Sequence, residues 1–323
     1  MKAKPKIALY WCSSCGGCEE AVIDLAEGLL DIARAVDIVF WPLARDARYE
    51  RIEKLADGEL AAAFINGAIR MDEHVHMARL LRRKSKAVLA SGACAHLGGV
   101  VGLANFGRVR DLLQRAYREA PTVDNPSGRL PCQGNEQGAQ GSGTAGLLDR
   151  VRTLDQVIDV DYYIPGCPPA PQNMAEAVGI VLEDPRPPKG HIFAEPKALC
   201  HSCPRRATKP EAIRVNRFYR LYEKTWDPDR CFLEQGLICA GPVTRGGCQA
   251  QCIEANMPCR GCYGPVSGMA DQGAGLISLL AAIMDPADEA QLKQTVAAIP
   301  DPAGLYYRYS LAAATLQNRS GKL

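Results

Sequence analysis

Cysteine is the residue type that most constrains how this chain of 323 residues can fold. The sequence contains fourteen cysteines, and eight of them, from Cys200 to Cys262, fall within 63 residues. No secretory signal is recognisable, because the apolar run at residues 7–11 is too short for one. Disulfides are rare in a reducing cytosol, so crowded cysteines in such a chain are better explained as metal ligands. We therefore expect a cytoplasmic, metal-binding protein.

The composition excludes several other classes of protein. Hydrophobic residues make up 47% and charged residues 23% of the chain, as in an ordinary globular protein. A net charge of +2 gives no reason to expect a nucleic-acid partner. The apolar stretch at residues 275–284 is too short to cross a bilayer, so the sequence predicts no membrane span.

Strand-like and helix-like runs alternate through the first half of the chain, which predicts an α/β fold with a flavodoxin-like parallel sheet. The predicted strands are residues 6–11, 37–43, 60–66, 87–90 and 160–164. The predicted helices are residues 19–35, 71–83, 109–118 and 174–182, followed in the second half by 275–284 and 289–299. Cys12, Cys15, Cys18, Cys94 and Cys167 all follow strand ends. Because sites form outside the carboxyl ends of parallel strands, three loops would bring these cysteines to one edge.

Composition also indicates where the chain divides. Residues 125–146 are rich in Gly, Gln and Ser and read as a long flexible insertion, which contains Cys132 as a predicted free thiol. Prolines at residues 185–188 break the last helix of the first half. We predict a flavodoxin-like domain at residues 1–185 and a smaller, irregular iron–sulfur domain at residues 186–323. Metal–thiolate bonds replace part of a core in such a domain.

The cysteine spacings indicate how thiolates would be grouped. Residues 12–18 contain two overlapping Cys-x-x-Cys pairs with Gly16 and Gly17 between the second pair, and glycine lets the backbone bend close to a cluster. In the second half, eight cysteines divide naturally into two sets of four, but spacing alone leaves the partition open. Two all-thiolate zinc sites would also fit the count, so a structural zinc-binding protein is an alternative. The eight are Cys200, Cys203, Cys231, Cys239, Cys248, Cys252, Cys259 and Cys262.

The motifs Cys15-x-x-Cys18, Gly92-x-Cys94 and Gly166-Cys167-Pro168-Pro169 together resemble the small subunit of [NiFe]-hydrogenases. The cluster-bearing subunit of respiratory complex I shares part of this pattern. The resemblance implies that Cys15, Cys18, Cys94 and Cys167 hold a proximal [4Fe–4S] cluster. It leaves Cys12 outside the four, so Cys12 is either an extra ligand or a buried thiol at a strand end.

One carboxylate near this motif also resembles a family feature. Glu20 resembles a glutamate that lies near the proton exit route in many hydrogenase small subunits. The alternative is a solvated carboxylate at a helix N-terminus, where negative charge is favoured. No catalytic residue is predicted in this chain.

The same resemblance divides the second group of cysteines. It implies that Cys200, Cys203, Cys231 and Cys239 hold a distal [4Fe–4S] cluster. It assigns a medial [4Fe–4S] cluster to the remaining four, Cys248, Cys252, Cys259 and Cys262. Cys200 stands where common respiratory enzymes have a histidine, and Cys252 where many have a proline. Both departures should make the clusters more anionic and lower in potential.

Residues 233–248 and 258–265 resemble the small subunits of cytoplasmic F420-reducing and F420-non-reducing (methyl-viologen-reducing) hydrogenases. That resemblance implies a non-catalytic, electron-transfer small subunit of an oxidoreductase. Electrons from hydrogen oxidation on a [NiFe]-hydrogenase-type large subunit would pass through three clusters to an acceptor subunit. The acceptor would be a [2Fe–2S] or flavin-containing protein of the heterodisulfide reductase type. An alternative pairs the same chain with a nickel-free hydrogenase-like large subunit in another oxidoreductase complex.

Overall fold

The fold is dominated by a parallel β-sheet, as the computed structural model shows for residues 3–45, 48–131, 146–179 and 186–315. The strands of these described residues are β1 Lys6–Trp11, β2 Asp37–Phe40, β3 Ala62–Asn66, β4 Ile69–Met71, β5 Val88–Ser91, β6 Leu147–Arg152, β7 Tyr162–Ile164 and β8 His191–Ile192. Six of them form one parallel sheet in the order β2–β1–β3–β5–β7–β8. Numbered within this sheet alone, the order begins 2-1-3-4-5, as in flavodoxin. The predicted α/β fold is confirmed.

Helices cover both faces of the sheet, as parallel strands require. In the first half they are α1 Gly17–Ile23, α2 Glu27–Ala35, α3 Tyr49–Glu53, α4 Asp72–Lys84, α5 Gly92–Leu97, α6 Val109–Gln114 and α7 Pro171–Gly179. In the second half they are α8 Gln251–Glu254, α9 Gln272–Ile283, α10 Glu289–Ala297 and α11 Pro302–Tyr306. The helices predicted at residues 275–284 and 289–299 therefore correspond to α9 and α10.

The single helix predicted over residues 19–35 is wrong, because the chain forms two helices there. Ala26, which lies between α1 and α2, has a φ of 51° and interrupts the helical backbone. Val22 of α1 and Leu29 of α2 nevertheless pack into the same hydrophobic cluster. The apolar periodicity therefore continues across the break, and it could not reveal that the backbone turns.

Strand β1 shows how the sheet divides two hydrophobic cores. Ala8 and Tyr10 face one buried cluster, whereas Ile7 and Leu9 face the other. All five residues of β3 are buried, because helices cover both faces of this central strand. The carboxyl ends of the strands consequently meet at one edge, where the loops after β1, β5 and β7 begin.

The second half of the chain has a hydrophobic cluster of its own and little regular structure. Phe218, Phe232, Leu237, Leu276 and Leu280 are among its buried members. Asp271 and Asp288 begin the two longer helices, and each accepts a hydrogen bond from a backbone N–H one turn ahead, at 3.0 and 2.8 Å. Short 3-10 turns make up much of the remainder.

The sheet continues beyond the boundary predicted at residue 185. Strand β8 pairs with β7 through Tyr162 and His191, so the sixth strand lies on the far side of that boundary. Strands β4 and β6 form a separate antiparallel pair that was not predicted. Along the chain, β4 precedes the long insertion and β6 follows it. Cys132 and most of that insertion, residues 132–145, lie outside the described residues. Within the described ranges, no helix combines the length and apolar character that a membrane crossing demands.

Candidate metal centres

Four cysteines from three loops come together at the carboxyl edge of the sheet. Cys15 and Cys18 follow β1, Cys94 follows β5, and Cys167 follows β7. Burial raises the pKa of the Cys18 thiol, and the charges of Cys94, Cys167 and Cys15 raise it further. Burial and the charges of Cys167 and Cys15 likewise raise the pKa of Cys94 to about 12. The four thiols are therefore electrostatic neighbours, and such a set binds cationic metal centres as thiolates.

Two glycines allow these thiols to pack against the backbone. Gly92 has a φ of +81°, and a Cβ there would lie 2.3 Å from the Sγ of Cys18. Gly99 has a φ of +60°, and a Cβ there would lie 2.3 Å from the Sγ of Cys94. Any side chain at either position would displace a cysteine. Both glycines are thus required by the local geometry of this first set.

The loops that carry this set are joined to each other. The backbone N–H of Ala93 donates a hydrogen bond of 2.6 Å to the carbonyl of Gly166, which links the Cys94 loop to the Cys167 loop. The position expected for a Cβ on Gly17 lies 3.6 Å from the Sγ of Cys15. The hydrogen bond between the two loops and the close approach of Gly17 to Cys15 therefore help to position the thiols.

Cys12 lies apart from this set. It continues the alternation of β1 after Ala8 and Tyr10, and it is buried in the same hydrophobic cluster. Burial raises the pKa of its thiol, and the charge of Glu73 raises it further. None of the four cysteines is among the causes of that shift. This placement favours the interpretation of Cys12 as a core thiol.

Two adjacent glutamates on α1 have opposite environments. Glu20, the residue predicted near a proton route, is exposed. Glu19 is buried, and it accepts hydrogen bonds from the indole N–H of Trp41 and from the amide of Asn66, the latter at 2.6 Å. Burial raises its pKa. The sequence carries no signal that separates the two glutamates, and the proposed role of Glu20 stays a prediction.

A second set of four thiols forms in the other half of the chain. Burial raises the pKa of Cys200 to about 11, with Cys203 and Cys231 as neighbouring charges. Burial raises the pKa of Cys239 to about 12, and its neighbouring charges are Cys200 and Cys231. A Cβ on Gly241 would lie 3.4 Å from the Sγ of Cys200 and 3.5 Å from that of Cys239. These contacts bring together the cysteines predicted to form the distal set.

Arg205 ties the loops of this set together. It is buried, and its guanidinium donates to the carbonyl oxygens of Asp227 and Arg230, at 3.2 and 2.9 Å, just before Cys231. Its backbone N–H and its charge also lower the pKa of Cys203, against the larger opposing effect of burial. Sequence reasoning missed this residue, because an arginine after a cysteine motif usually reads as a surface charge.

The last four cysteines form a third set. Burial and the charges of Cys248 and Cys252 raise the pKa of Cys262 to about 12, although a backbone hydrogen bond lowers it. Burial raises the pKa of Cys259 well above its ordinary value, and the charges of Cys239 and Cys262 raise it further. This set corresponds to the cysteines predicted to form the medial site.

Contacts between the sets place them in a row. The backbone N–H of Cys167, in the first set, donates to the sulfur of Cys262 in the third. After burial, the charge of Cys239 in the second set contributes most to the raised pKa of Cys259 in the third set. These interactions connect the set of residues 248–262 to both of the other sets.

A cluster and a single ion differ in how they space the four sulfurs that bind them. In a tetrahedral zinc site every sulfur lies about 2.3 Å from one ion, so the four sulfurs crowd together. No group of three or more His, Cys, Asp or Glu side chains in the described ranges converges in a way that would hold one metal ion. In a cluster each thiolate binds a different iron, so the sulfurs stand further apart. A cluster and a single ion therefore require different spacings of the four sulfurs.

Comparison with known proteins gives a consistent result. Residues 15–181 match the family described as NADH ubiquinone oxidoreductase, 20 Kd subunit. The iron-sulfur subunit of the F420-non-reducing hydrogenase from Archaeoglobus profundus is 37% identical over 317 residues, which cover 97% of this chain and 98% of that protein. A subunit of the F420-non-reducing hydrogenase from Methanothermobacter marburgensis is 35% identical over 98% of this chain and 97% of its own length.

A solved structure shares the fold at low identity. The [NiFeSe] hydrogenase from Desulfovibrio vulgaris Hildenborough matches with a TM-score of 0.55 and 16% identity, covering 83% of this chain and 96% of that chain. This likeness concerns the fold alone, whereas the full-length relatives determine the family. The chain therefore belongs to the family of hydrogenase small subunits that includes the iron-sulfur subunits of F420-non-reducing hydrogenases.

Proposed function

We propose that this chain is the electron-transfer small subunit of a multi-subunit [NiFe]-hydrogenase and that it holds three [4Fe–4S] clusters. The observation that carries the proposal is the row of three four-thiol sets, joined at Cys167 and Cys262 and again at Cys259 and Cys239. Clusters bound there would supply one-electron carriers. A row of carriers is what a subunit needs in order to conduct electrons between two partners.

The chain's own residues would bind, space and shield these carriers. The backbone at Gly92 and Gly99 sets how closely the first set packs, and Arg205 sets how the loops of the distal set meet. Nine of the twelve proposed ligands are buried or partly buried, which limits the access of water to the sites. The proposed ligands are Cys15, Cys18, Cys94 and Cys167 for the proximal cluster, Cys248, Cys252, Cys259 and Cys262 for the medial one, and Cys200, Cys203, Cys231 and Cys239 for the distal one.

The two ends of the row would face different partners. We assign the hydrogen-splitting nickel–iron site to a separate large subunit that docks beside the proximal set. A [2Fe–2S] or flavin-containing acceptor of the heterodisulfide reductase type would receive electrons beyond the distal set. The full-length relatives are F420-non-reducing hydrogenases, which supports an acceptor other than F420. The complex would be cytoplasmic.

Metal analysis of the purified complex tests this proposal. We expect about twelve irons per copy of this chain with matching acid-labile sulfide, nickel in the large chain, and hydrogen-dependent reduction of a viologen dye. Zinc without sulfide would refute the electron-transfer role. Full iron and sulfide with a nickel-free large chain and no hydrogen oxidation would refute the hydrogenase role and place the chain in another oxidoreductase.

A further inference from the structure

An open cleft of about 340 Å³ lies beside the two carboxyl-terminal thiol sets. Arg260, one of its lining residues, belongs to the loop between Cys259 and Cys262, and Ile238 directly precedes Cys239. The cleft is therefore one residue away, along the chain, from two of the proposed ligands. Nothing in the proposed electron path uses it.

Three arginines dominate the charge of the cleft. Arg220, Arg260 and Arg308 line it, and Asp301 is the single carboxylate among the lining residues. Asp301 is already engaged, because its side chain accepts the 3.1 Å hydrogen bond from Gly304 that begins α11. With three arginines and one carboxylate, the cleft has an excess of positive charge.

The charges of these arginines are not neutralised by acidic side chains. None of the three guanidinium groups forms an ion pair with a carboxylate anywhere in the ranges that the structure describes. Arg260 and Arg308 are both only partly exposed, and both line this cleft. Like charges that line one cleft repel each other, and a bound anion relieves that repulsion.

The rim of the cleft is built from residues typical of protein interfaces. Tyr222 is 79% exposed and Met257, beside the lining residue Pro258, is 42% exposed. Tyrosine, methionine and arginine are enriched in interface cores, where they contribute more than their share of binding energy. An apolar rim around unpaired arginines fits a polypeptide better than a small inorganic anion.

We propose that this cleft binds the acidic side chains of a segment from a partner subunit. Arginine pairs with carboxylates through two parallel hydrogen bonds, so it fixes both the position and the orientation of such a segment. A segment seated there would cover Arg260 and shield the neighbouring thiol sets from water. The inference rests on the proposed function only in that the chain works within a complex.

Charge reversal in the intact complex tests this site. The variant Arg220→Glu/Arg308→Glu leaves Arg260, next to the proposed ligands, unchanged. The control Arg79→Glu/Arg214→Glu makes the same charge change at two exposed arginines that do not line the cleft. We expect the salt concentration that releases a partner subunit in gel filtration to fall roughly twofold or more for the cleft variant, because exposed ion pairs are screened by salt. Iron content should be unchanged in both variants.

Cross-linking identifies the occupant. Tyr222→p-benzoylphenylalanine in the complex should cross-link, on illumination, to a segment of another subunit that is rich in Asp and Glu. A cross-link to a neutral or basic segment, no cross-link at all, or equal salt sensitivity of the control variant would overturn the proposal. A further result would also overturn it. That result is binding of inorganic phosphate to the full chain at the cleft, together with a variant complex that is as resistant to salt as the wild type.

The outcome separates this inference from the proposed function. A complex without hydrogen oxidation in which the cross-link still reaches an acidic segment would contradict the function but support the site. A complex that oxidises hydrogen but gives no cross-link from position 222 to an acidic segment would support the function and contradict the site.

Discussion

Glycine, rather than cysteine alone, determines whether the first thiol set can assemble. We expect Gly92→Ala to displace Cys18, because its Cβ would lie 2.3 Å from that Sγ. Iron analysis of the purified chain should show a loss of about four irons, the content of one cluster. Gly58→Ala is the matched control, since Gly58 has a φ of +71° with no atom within 4 Å of an added Cβ.

The control isolates backbone strain from steric displacement. A left-handed backbone costs an alanine about 1–2 kcal/mol, and both variants carry that cost. Gly58→Ala should therefore lower stability slightly and keep its iron. Equal iron content in the two variants would show that Cys18 can move without losing its ligand role.

Cys12 offers a second prediction at this scale. Because its thiol is buried among core residues and has Glu73 as its charged neighbour, we expect Cys12→Ala to retain full iron content. Removing a buried sulfur should cost about 1–2 kcal/mol of folding free energy through the small cavity left behind. Cys18→Ala provides the comparison, and it should lose the iron of the first site. Loss of iron from the Cys12 variant would make Cys12 a ligand after all.

Single residues also show where sequence reasoning stops. Cys15, Cys18, Cys94 and Cys167 could be grouped from motifs alone, because their order along the chain matches strand ends. The burial of Glu19 could not, since two adjacent glutamates look alike until Trp41 and Asn66 are placed around one of them. Long-range partners of this kind leave no local pattern.

Among the secondary-structure elements, a buried carboxylate joins the middle of the sheet to a helix. Asp161, just before β7, accepts from Arg82 of α4 and from the backbone N–H of Val88 in β5, the latter at 2.8 Å. Lys189, 3.0 Å away, approaches the other carboxylate oxygen. The pKa of Asp161 is lowered, because these hydrogen bonds and charges outweigh the opposing effect of burial. One side chain thus connects α4, β5 and β7.

We expect Asp161→Asn to destabilise the fold by about 1–3 kcal/mol at pH 7, the usual value of hydrogen bonds to a charged group. A carboxylate with a lowered pKa stabilises the folded state above its ordinary pKa of about 3.9, and that contribution is lost as pH falls through the lowered value. The difference in thermal midpoint between wild type and variant should therefore be full at pH 7 and shrink in acid. Circular dichroism measures it, with the exposed Asp124→Asn as control. A difference that grew on acidification would contradict this assignment.

Sequence patterns anticipated the long elements and missed the short ones. The buried strand β1 was predicted with its observed bounds, because its apolar run is continuous and ends at a cysteine motif. Strand β8 has two residues and lies after a proline-rich stretch, so no periodicity could show it. The pair β4 and β6 is held by contacts across a long insertion, which local sequence does not encode. An element can be predicted when it is long enough to show a periodic pattern and when its contacts are close in the sequence.

On the scale of the whole molecule, the set of residues 248–262 interacts with each of the other two thiol sets. Cys167 of the first set contributes to the pKa shift of Cys262, and Cys239 of the second set contributes to that of Cys259. The causes of the pKa shifts of Cys18, Cys94 and Cys167 include no cysteine of residues 200–239. The middle set is therefore the only connection that these interactions show among the described residues, and electron flow along the row would depend on it.

Cys252→Ala, made in the intact complex, tests that dependence. Cys252 is exposed, so its removal takes away a proposed ligand of the middle set without opening a core. We expect a loss of between about one and four irons per chain, since a cluster with three thiolates either loses one iron or falls apart. Exchange of deuterium gas with water, which needs only the large subunit, should persist. Hydrogen-driven reduction of the protein acceptor should fall sharply where all four irons are lost, because its electrons must cross the middle set.

A matched variant distinguishes this effect from general damage to a cysteine-rich chain. Cys132→Ala removes a thiol that the sequence predicts to be free, and it should leave iron content and both activities unchanged. If Cys252→Ala loses all four irons of the middle set yet reduces the acceptor at the wild-type rate, electrons bypass that set. The interactions of Cys262 with Cys167 and of Cys259 with Cys239 would then be structural only. The row of sites would not be the path of the electrons.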